Sequence, residues 1–202
     1  MEENRYDEML NIWTGGSQDG FYSSFHYHRY EPTPYADLEK LFEQYQLKES
    51  DTVIDFGCGK GRLAFLLHYM FRASVLGVEM NEEFCQDAME NLEHYSRKVK
   101  EGEDKITFYC GLAEEFEIGP KDNRFYFFNP FSVQIFTKVI NNILISLEKE
   151  PREVHLILYY PSEDYIYYLE SQTSFQLWKE IELPSLNDRN SDERFLIYRL
   201  VY

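Results

Sequence analysis

The segment "VIDFGCGKGRLAFL", Val53 to Leu66, constrains the fold more than any other part of the chain. A short apolar run enters three glycines at alternate positions, Gly57, Gly59 and Gly61, and these open onto a helix-length stretch that is apolar almost all round. Strand, tight turn and buried helix in that order begin a βαβ unit, whose strand needs neighbours on both sides and helices on both faces. Glycines there permit tight turning and let a ligand approach the backbone amides.

The rest of the chain repeats the pattern. "SVLGVE" reads as a second strand, followed by Asn81 as a helix cap, Glu82 and Glu83 in the first turn, and Phe84, Ala88, Leu92 and Tyr95 along one face. "KITFYC" and "RFYFFN" read as further strands, "SVQIFTKVINNILISLEKE" as a long helix, and "EVHLILYY" as a strand ended by Pro161. The tail departs from this: "FQLWKEIEL" and "RFLIYRLVY", joined by the polar "PSLNDRNSD", predict an antiparallel hairpin at the sheet edge. Upstream, Thr33 caps a helix starting at Pro34, with Tyr35, Leu38, Leu41, Phe42 and Tyr45 on its buried face. The first thirty residues give no clear element, but Phe21, Tyr22, Phe25, Tyr27 and Tyr30 make them too aromatic for a solvated tail. The expectation is one α/β domain over 1–202: a Rossmann-like, seven-stranded, mostly parallel sheet with helices on both faces and a C-terminal antiparallel hairpin. Residues 51–202 form the ligand-binding core, and 1–50 an extension and helix that pack on it as a lid.

Composition excludes several classes. At 202 residues the chain suits a single domain, and no apolar run is long enough to span a bilayer. "MEENRYDEML" lacks the basic flank and apolar stretch of an export signal, so the cytoplasm is the expected compartment. Cys58, Cys85 and Cys110 show no metal-ligand spacing and leave an odd thiol, which fits a reducing compartment and no metal site. A net charge of −16 disfavours a nucleic-acid partner.

The glycine turn has several conceivable ligands. A phosphate-binding P-loop needs Ser or Thr after Gly-Lys, and here Gly61 follows Lys60; the dinucleotide fingerprint needs glycine where Arg62 stands. What fits is an acid inside the strand, Asp55, two residues before Gly57, and a second acid, Glu79, ending the next strand. With "VIDFGCGKG", "GVEMN" and the terminal hairpin, the chain resembles the class I S-adenosylmethionine-dependent methyltransferases, small bacterial members among them, over roughly residues 50 to 202. The resemblance implies S-adenosyl-L-methionine as cofactor, held by Asp55, Gly57, Cys58, Gly59, Gly61, Glu79 and Leu112. Glu79 accepts from the ribose hydroxyls, Asp55 steadies the turn and the methionine ammonium, and Leu112 packs on adenine. Cys58 reads as a small spacer, with a nucleophilic thiol as the alternative; Lys60 and Arg62 read as solvated helix-start residues. The acid that the family places near the adenine amino group is missing at Cys110–Ala113, with Glu114 and Glu115 only after it.

"FFNPFS" resembles, incompletely, the N-P-P-[FY] motif of amino-group methyltransferases. It makes Asn129, Pro130 and Phe131 the candidates for positioning an acceptor, with a strand terminator and a core ring as the alternative. Tyr159 and Tyr160 are candidates for the pocket wall, and His26 and His28 for a base. The reading is methyl transfer to a small-molecule or protein acceptor, with an amino or amide nitrogen as the specific form. A catalytically silent S-adenosylmethionine-binding protein and a nicotinamide-dependent oxidoreductase are the alternatives.

Overall fold

The strands carry their side chains alternately to two separate cores, and that alternation decides where the polar residues of β1 point. A computed structural model describes residues 2–16, 30–99, 104–183 and 193–201. In chain order they form α1 (Glu2–Leu10), α2 (Tyr35–Gln44), β1 (Thr52–Phe56), α3 (Arg62–Phe71), β2 (Ser74–Glu79), α4 (Glu82–Lys98) and β3 (Ile106–Cys110). A 3-10 turn at Ala113–Glu115 follows, then β4 (Arg124–Phe127), α5 (Val133–Lys149), β5 (Val154–Tyr159), α6 (Glu163–Gln172), β6 (Gln176–Glu182) and β7 (Arg194–Leu200).

The sheet runs β3-β2-β1-β4-β5-β7-β6, parallel from β3 to β5, with β7 antiparallel to both β5 and β6. The expected hairpin is present, and its second strand is the one inserted against β5, leaving β6 on the edge. Val53, Val75 and Ile157 join α2 and α3 in one core, while Ile54, Phe56, Phe125 and Phe127 join α5 in the other. Because successive strand residues face opposite ways, Asp55 lies on the face of Val53, and so does Tyr126, its partner in register on β4. The order of strands reverses between β1 and β4, and ligands of such sheets bind beyond the carboxyl ends of the strands at that crevice.

Four expectations are corrected. The N-terminal residues contain α1, whose Leu10, with Ile12 just after the helix, packs into the α2–α3 core. Thr33 does not cap α2: Pro34 holds the cap position and Tyr35 begins the helix, while the Thr33 hydroxyl pairs with Tyr126 Oη at 2.8 Å. Arg62 is 5% exposed rather than solvated, because residues 14 and 33 fold over the start of α3. Cys85 and Cys110 are joined in a disulfide, Cα–Cα 5.9 Å, leaving Cys58 as the free thiol. Parallel pairing of β2 with β3 sets Glu79 opposite Cys110, which brings the end of β3 beside the first turn of α4.

The Asn81 cap is as expected, its Oδ1 accepting from the amides of Glu83 (2.9 Å) and Phe84 (3.3 Å). No helix among the described residues is long and apolar enough to cross a membrane.

Candidate cofactor site

Three glycines and two acids meet at the carboxyl ends of β1 and β2. Gly57, Gly59 and Gly61 all have φ between +53° and +86°. A side chain at Gly57 would stand 2.6 Å from Pro130 Cβ, and one at Gly59 would stand 2.0 Å from the Tyr30 ring. The turn is therefore left-handed and closely covered, which only glycine tolerates. The amides of Gly57 and Cys58 both reach the carbonyl of Val78, at 2.8 and 3.2 Å, tying the turn to β2.

Glu79 is fixed from two sides: Oε2 accepts from the Gly59 amide at 2.9 Å and Oε1 from the Asn81 amide at 2.8 Å. Each carboxylate oxygen has a second lone pair, so the acid is oriented and retains acceptor capacity. Burial raises its pKa, against the lowering effect of those amides.

Asp55 is the more telling residue. It is 4% exposed, lies on the floor of the crevice, and makes no hydrogen bond among the described residues. Burial, reinforced by the charge of Glu79, pushes its carboxyl up to about 8. An unpaired buried carboxyl is costly, and a cationic ligand group would relieve that cost. Asp55, Gly57, Tyr30, Thr33, Tyr126 and Phe128 line a cavity of about 30 Å³ at this point.

The remaining sequence candidates divide. Cys58 is buried, with its Sγ packed where a side chain on Gly77 would have to go. Burial and the two nearby carboxylates raise its thiol pKa, so it fills space rather than supplying a thiolate. Leu112 follows Gly111, whose amide donates to the Glu79 carbonyl at 2.8 Å, and thus stands beside the ribose candidate. Glu114 turns to α5, pairing with Lys138 at 3.6 Å, while Glu115 is exposed.

Pro130 sits against the glycine turn, and Asn129 precedes it at φ +39°. Phe131 points the other way: its ring is 1% exposed in the α5 core, edge-on to Phe127, and its carbonyl accepts from Tyr165 Oη. Tyr159 and Tyr160 stand at the end of β5, with Tyr159 edge-on to Phe128 at 4.5 Å and donating to Asp37 at 2.7 Å. His26 and His28, with Phe21 to Tyr27, lie outside the described residues.

Sequence reading expected an N-terminal cover but missed the residues that fasten the segment over the glycine turn. Tyr30 lies on Gly59, tilted against Phe84 at 4.7 Å, and donates to the Thr14 carbonyl at 2.7 Å. Arg62 donates to Thr14 Oγ1 (2.8 Å) and the Thr33 carbonyl (3.1 Å), and its guanidinium sits 4.3 Å from the Tyr35 ring centre. Asp7 accepts from Thr14 and from Tyr35 Oη. An arginine opening an otherwise apolar helix was the available signal, since a cation at a helix start works against the helix dipole and needs compensation.

A family model described as a methyltransferase domain matches residues 35–114, which hold the glycine turn, Glu79 and Leu112. A protein-lysine N-methyltransferase from Saccharolobus islandicus is 34% identical over 65 residues, 32% of this chain and 40% of that protein. A ribosomal protein L11 methyltransferase from Thermotoga neapolitana is 35% identical over 66 residues, 33% of this chain and 25% of that one. The chain thus spans less than half the length of these curated relatives. Among solved structures, a putative RNA methyltransferase from Pyrococcus horikoshii aligns over 98% of this chain and 96% of its own, with a TM-score of 0.60 and 20% identity. An RNA methyltransferase from Salinibacter ruber, solved with S-adenosyl-L-homocysteine, aligns over 84% and 92%, with a TM-score of 0.52 and 17% identity. In strand order, matched domain and the paired acids around the glycine turn, this chain is similar to the class I S-adenosylmethionine-dependent methyltransferases.

Proposed function

We propose that the chain binds S-adenosylmethionine along the Asp55–Gly61 turn and Glu79, and transfers its methyl group to a nitrogen of a protein or small-molecule acceptor. The observation that carries this reading is Asp55: a buried carboxylate without a hydrogen-bond partner among the described residues, aimed into a crevice beside left-handed glycines. It suits the methionine ammonium, while Glu79 is oriented to take the ribose hydroxyls and the Gly111–Leu112 backbone to face the base. When bound, the cofactor supplies a sulfonium methyl that is already activated, so the task left to the protein is largely positioning.

A cavity of about 30 Å³ does not hold a nucleoside sulfonium. Binding on this reading therefore requires the Tyr30 ring to leave Gly59, which gives the segment around Thr14 and Tyr30–Thr33 the role of a lid. Pro130, set against Gly57, and Asn129 just before it support acceptor positioning at the end of β4. With Phe131 turned into the core, the aromatic wall falls to Phe128 and Tyr159. A cationic amine suits the net charge of −16, and both curated relatives are named for protein methylation.

Calorimetry with S-adenosylhomocysteine tests the cofactor. Binding is expected, weakened by about 1.5–3 kcal/mol in Glu79→Ala through lost charge-assisted hydrogen bonds. Tighter binding of a nicotinamide dinucleotide would assign the crevice to a different enzyme class. Methyl-labelled cofactor incubated with lysine-rich proteins and small amines tests the acceptor. Asn129→Ala is expected to slow labelling while leaving homocysteine-product affinity unchanged. Labelling at the wild-type rate would return Asn129 to a strand terminator, and cofactor binding with no labelled acceptor would favour a silent binding protein.

A further inference from the structure

The cysteine pair lies against the two backbone segments that frame the ribose candidate. Cys110 ends β3 in register with Glu79, and the next amide, that of Gly111, donates to the Glu79 carbonyl at 2.8 Å. Cys85 lies in the first turn of α4, with its Sγ 3.4 Å from that same carbonyl. Between Glu79 and Cys85 runs the turn whose Asn81 amide orients the Glu79 carboxylate and whose Asn81 side chain caps α4. The disulfide closes this turn against the end of β3. It therefore joins the segment that aims Glu79 to the Gly111–Leu112 segment beside it.

The two sulfurs also differ in access. Cys85 is buried, whereas Cys110 is exposed. An external disulfide or thiol can reach one partner directly, and the other is held beside it to complete or reverse the exchange.

We propose that Cys85 and Cys110 form a redox-modification site for small disulfides and thiols of the glutathione class, and that its closed state strengthens binding in the adjacent crevice. The Cys110 thiolate attacks oxidised glutathione, forming a mixed disulfide and expelling one glutathione thiolate. Cys85, deprotonated, displaces the second. One protein disulfide and two reduced glutathiones result, with both electrons taken by the oxidant; reduction by excess thiol runs the same steps backward. Closure holds the Glu79–Cys85 turn in its binding geometry, and opening leaves it held by its hydrogen bonds alone. The effect on binding rests on the cofactor reading above, whereas the exchange chemistry does not.

The test compares the full chain equilibrated with oxidised glutathione against the same protein in excess reduced thiol. Alkylation under denaturing conditions followed by mass measurement should show one reactive cysteine in the first sample and three in the second. Calorimetry with S-adenosylhomocysteine should show about three- to tenfold tighter binding by the oxidised form. Cys110→Ser, a substitution at an exposed position, should bind like the reduced protein under both conditions. Equal affinities of the two wild-type forms would overturn the coupling, and three reactive cysteines after oxidation would overturn the site. If neither form binds the cofactor, the cofactor reading fails separately. The tie is then judged by amide exchange, which should be slower in the oxidised protein over residues 79–86, and unchanged exchange there would overturn it.

Discussion

At Asp55 the needs of the fold and of the ligand diverge. Its carboxyl titrates near 8 in the folded protein because the charged form is buried beside Glu79, against about 4 in an unfolded chain. The folded state therefore holds the proton more tightly, and stability falls as pH rises from about 4 to about 8, then levels once both states are ionised. Asp55→Asn removes that dependence at nearly constant shape. The variant should melt above the wild type at pH 9, by an amount on the order of several kcal/mol, with the difference shrinking toward pH 5. Thermal unfolding at the two pH values checks it, and equal gains at both would show that the carboxyl is not the cause. The same residue should reveal the ligand: at pH 7 a cationic group drawn to Asp55 displaces its proton, so cofactor binding should release a proton. Calorimetry in buffers of different ionisation enthalpy measures that release, and Asp55→Asn should lose both it and most of the affinity. The residue was legible in the sequence as an acid within an apolar strand. Its missing partner was not, because that depends on what the opposite segments place around it.

Elements were legible where one periodicity dominated. The alternation of strand and helix from β1 to β5 shows in runs such as "TVIDF" and "VQIFTKVINNILISL", whose apolar spacing has a single reading. The helix α6 was not read, since Tyr165 and Leu169 are its buried residues amid the exposed Tyr167 and exposed acids, and Ser162 capping Tyr165 is a local signal only. The segment before α2, with α1 in it, was illegible for a different reason. Their stability comes from partners far along the chain: Trp13 and Asn91 exchange hydrogen bonds at 2.8 and 3.1 Å, and Arg62 gathers Thr14 and Thr33. Arg62 is therefore the place to loosen the cover. Lysine keeps the charge but cannot fork to both oxygens, so Arg62→Lys should cost about 2 kcal/mol. Denaturant unfolding gives that number, and amide exchange should rise over residues 12–16 and 30–34 before it rises in β1. If exchange rises evenly over the whole sheet, the arginine supports the domain rather than the cover.

Across the whole molecule, the charge of −16 bears on encounter rather than on fold. If the acceptor is a lysine-rich protein, labelling at low acceptor concentration should fall severalfold between 50 mM and 500 mM salt, roughly as the Debye length shrinks from above 10 Å toward 4 Å. Saturating acceptor should remove most of that loss, because the field acts on association. A salt-independent rate would mean that the acceptor is neutral or small. The insertion of β7 between β5 and β6 also bears on how the chain is made. During synthesis β6 leaves the ribosome before β7, the strand it pairs with among the described residues, and β5 presents an open edge, with Leu156 and Leu158 along it, over the same interval. The nascent sheet can close only after Leu200 has emerged, so the interval between the synthesis of β5 and that of β7 is when quality control has its longest opportunity and aggregation its greatest.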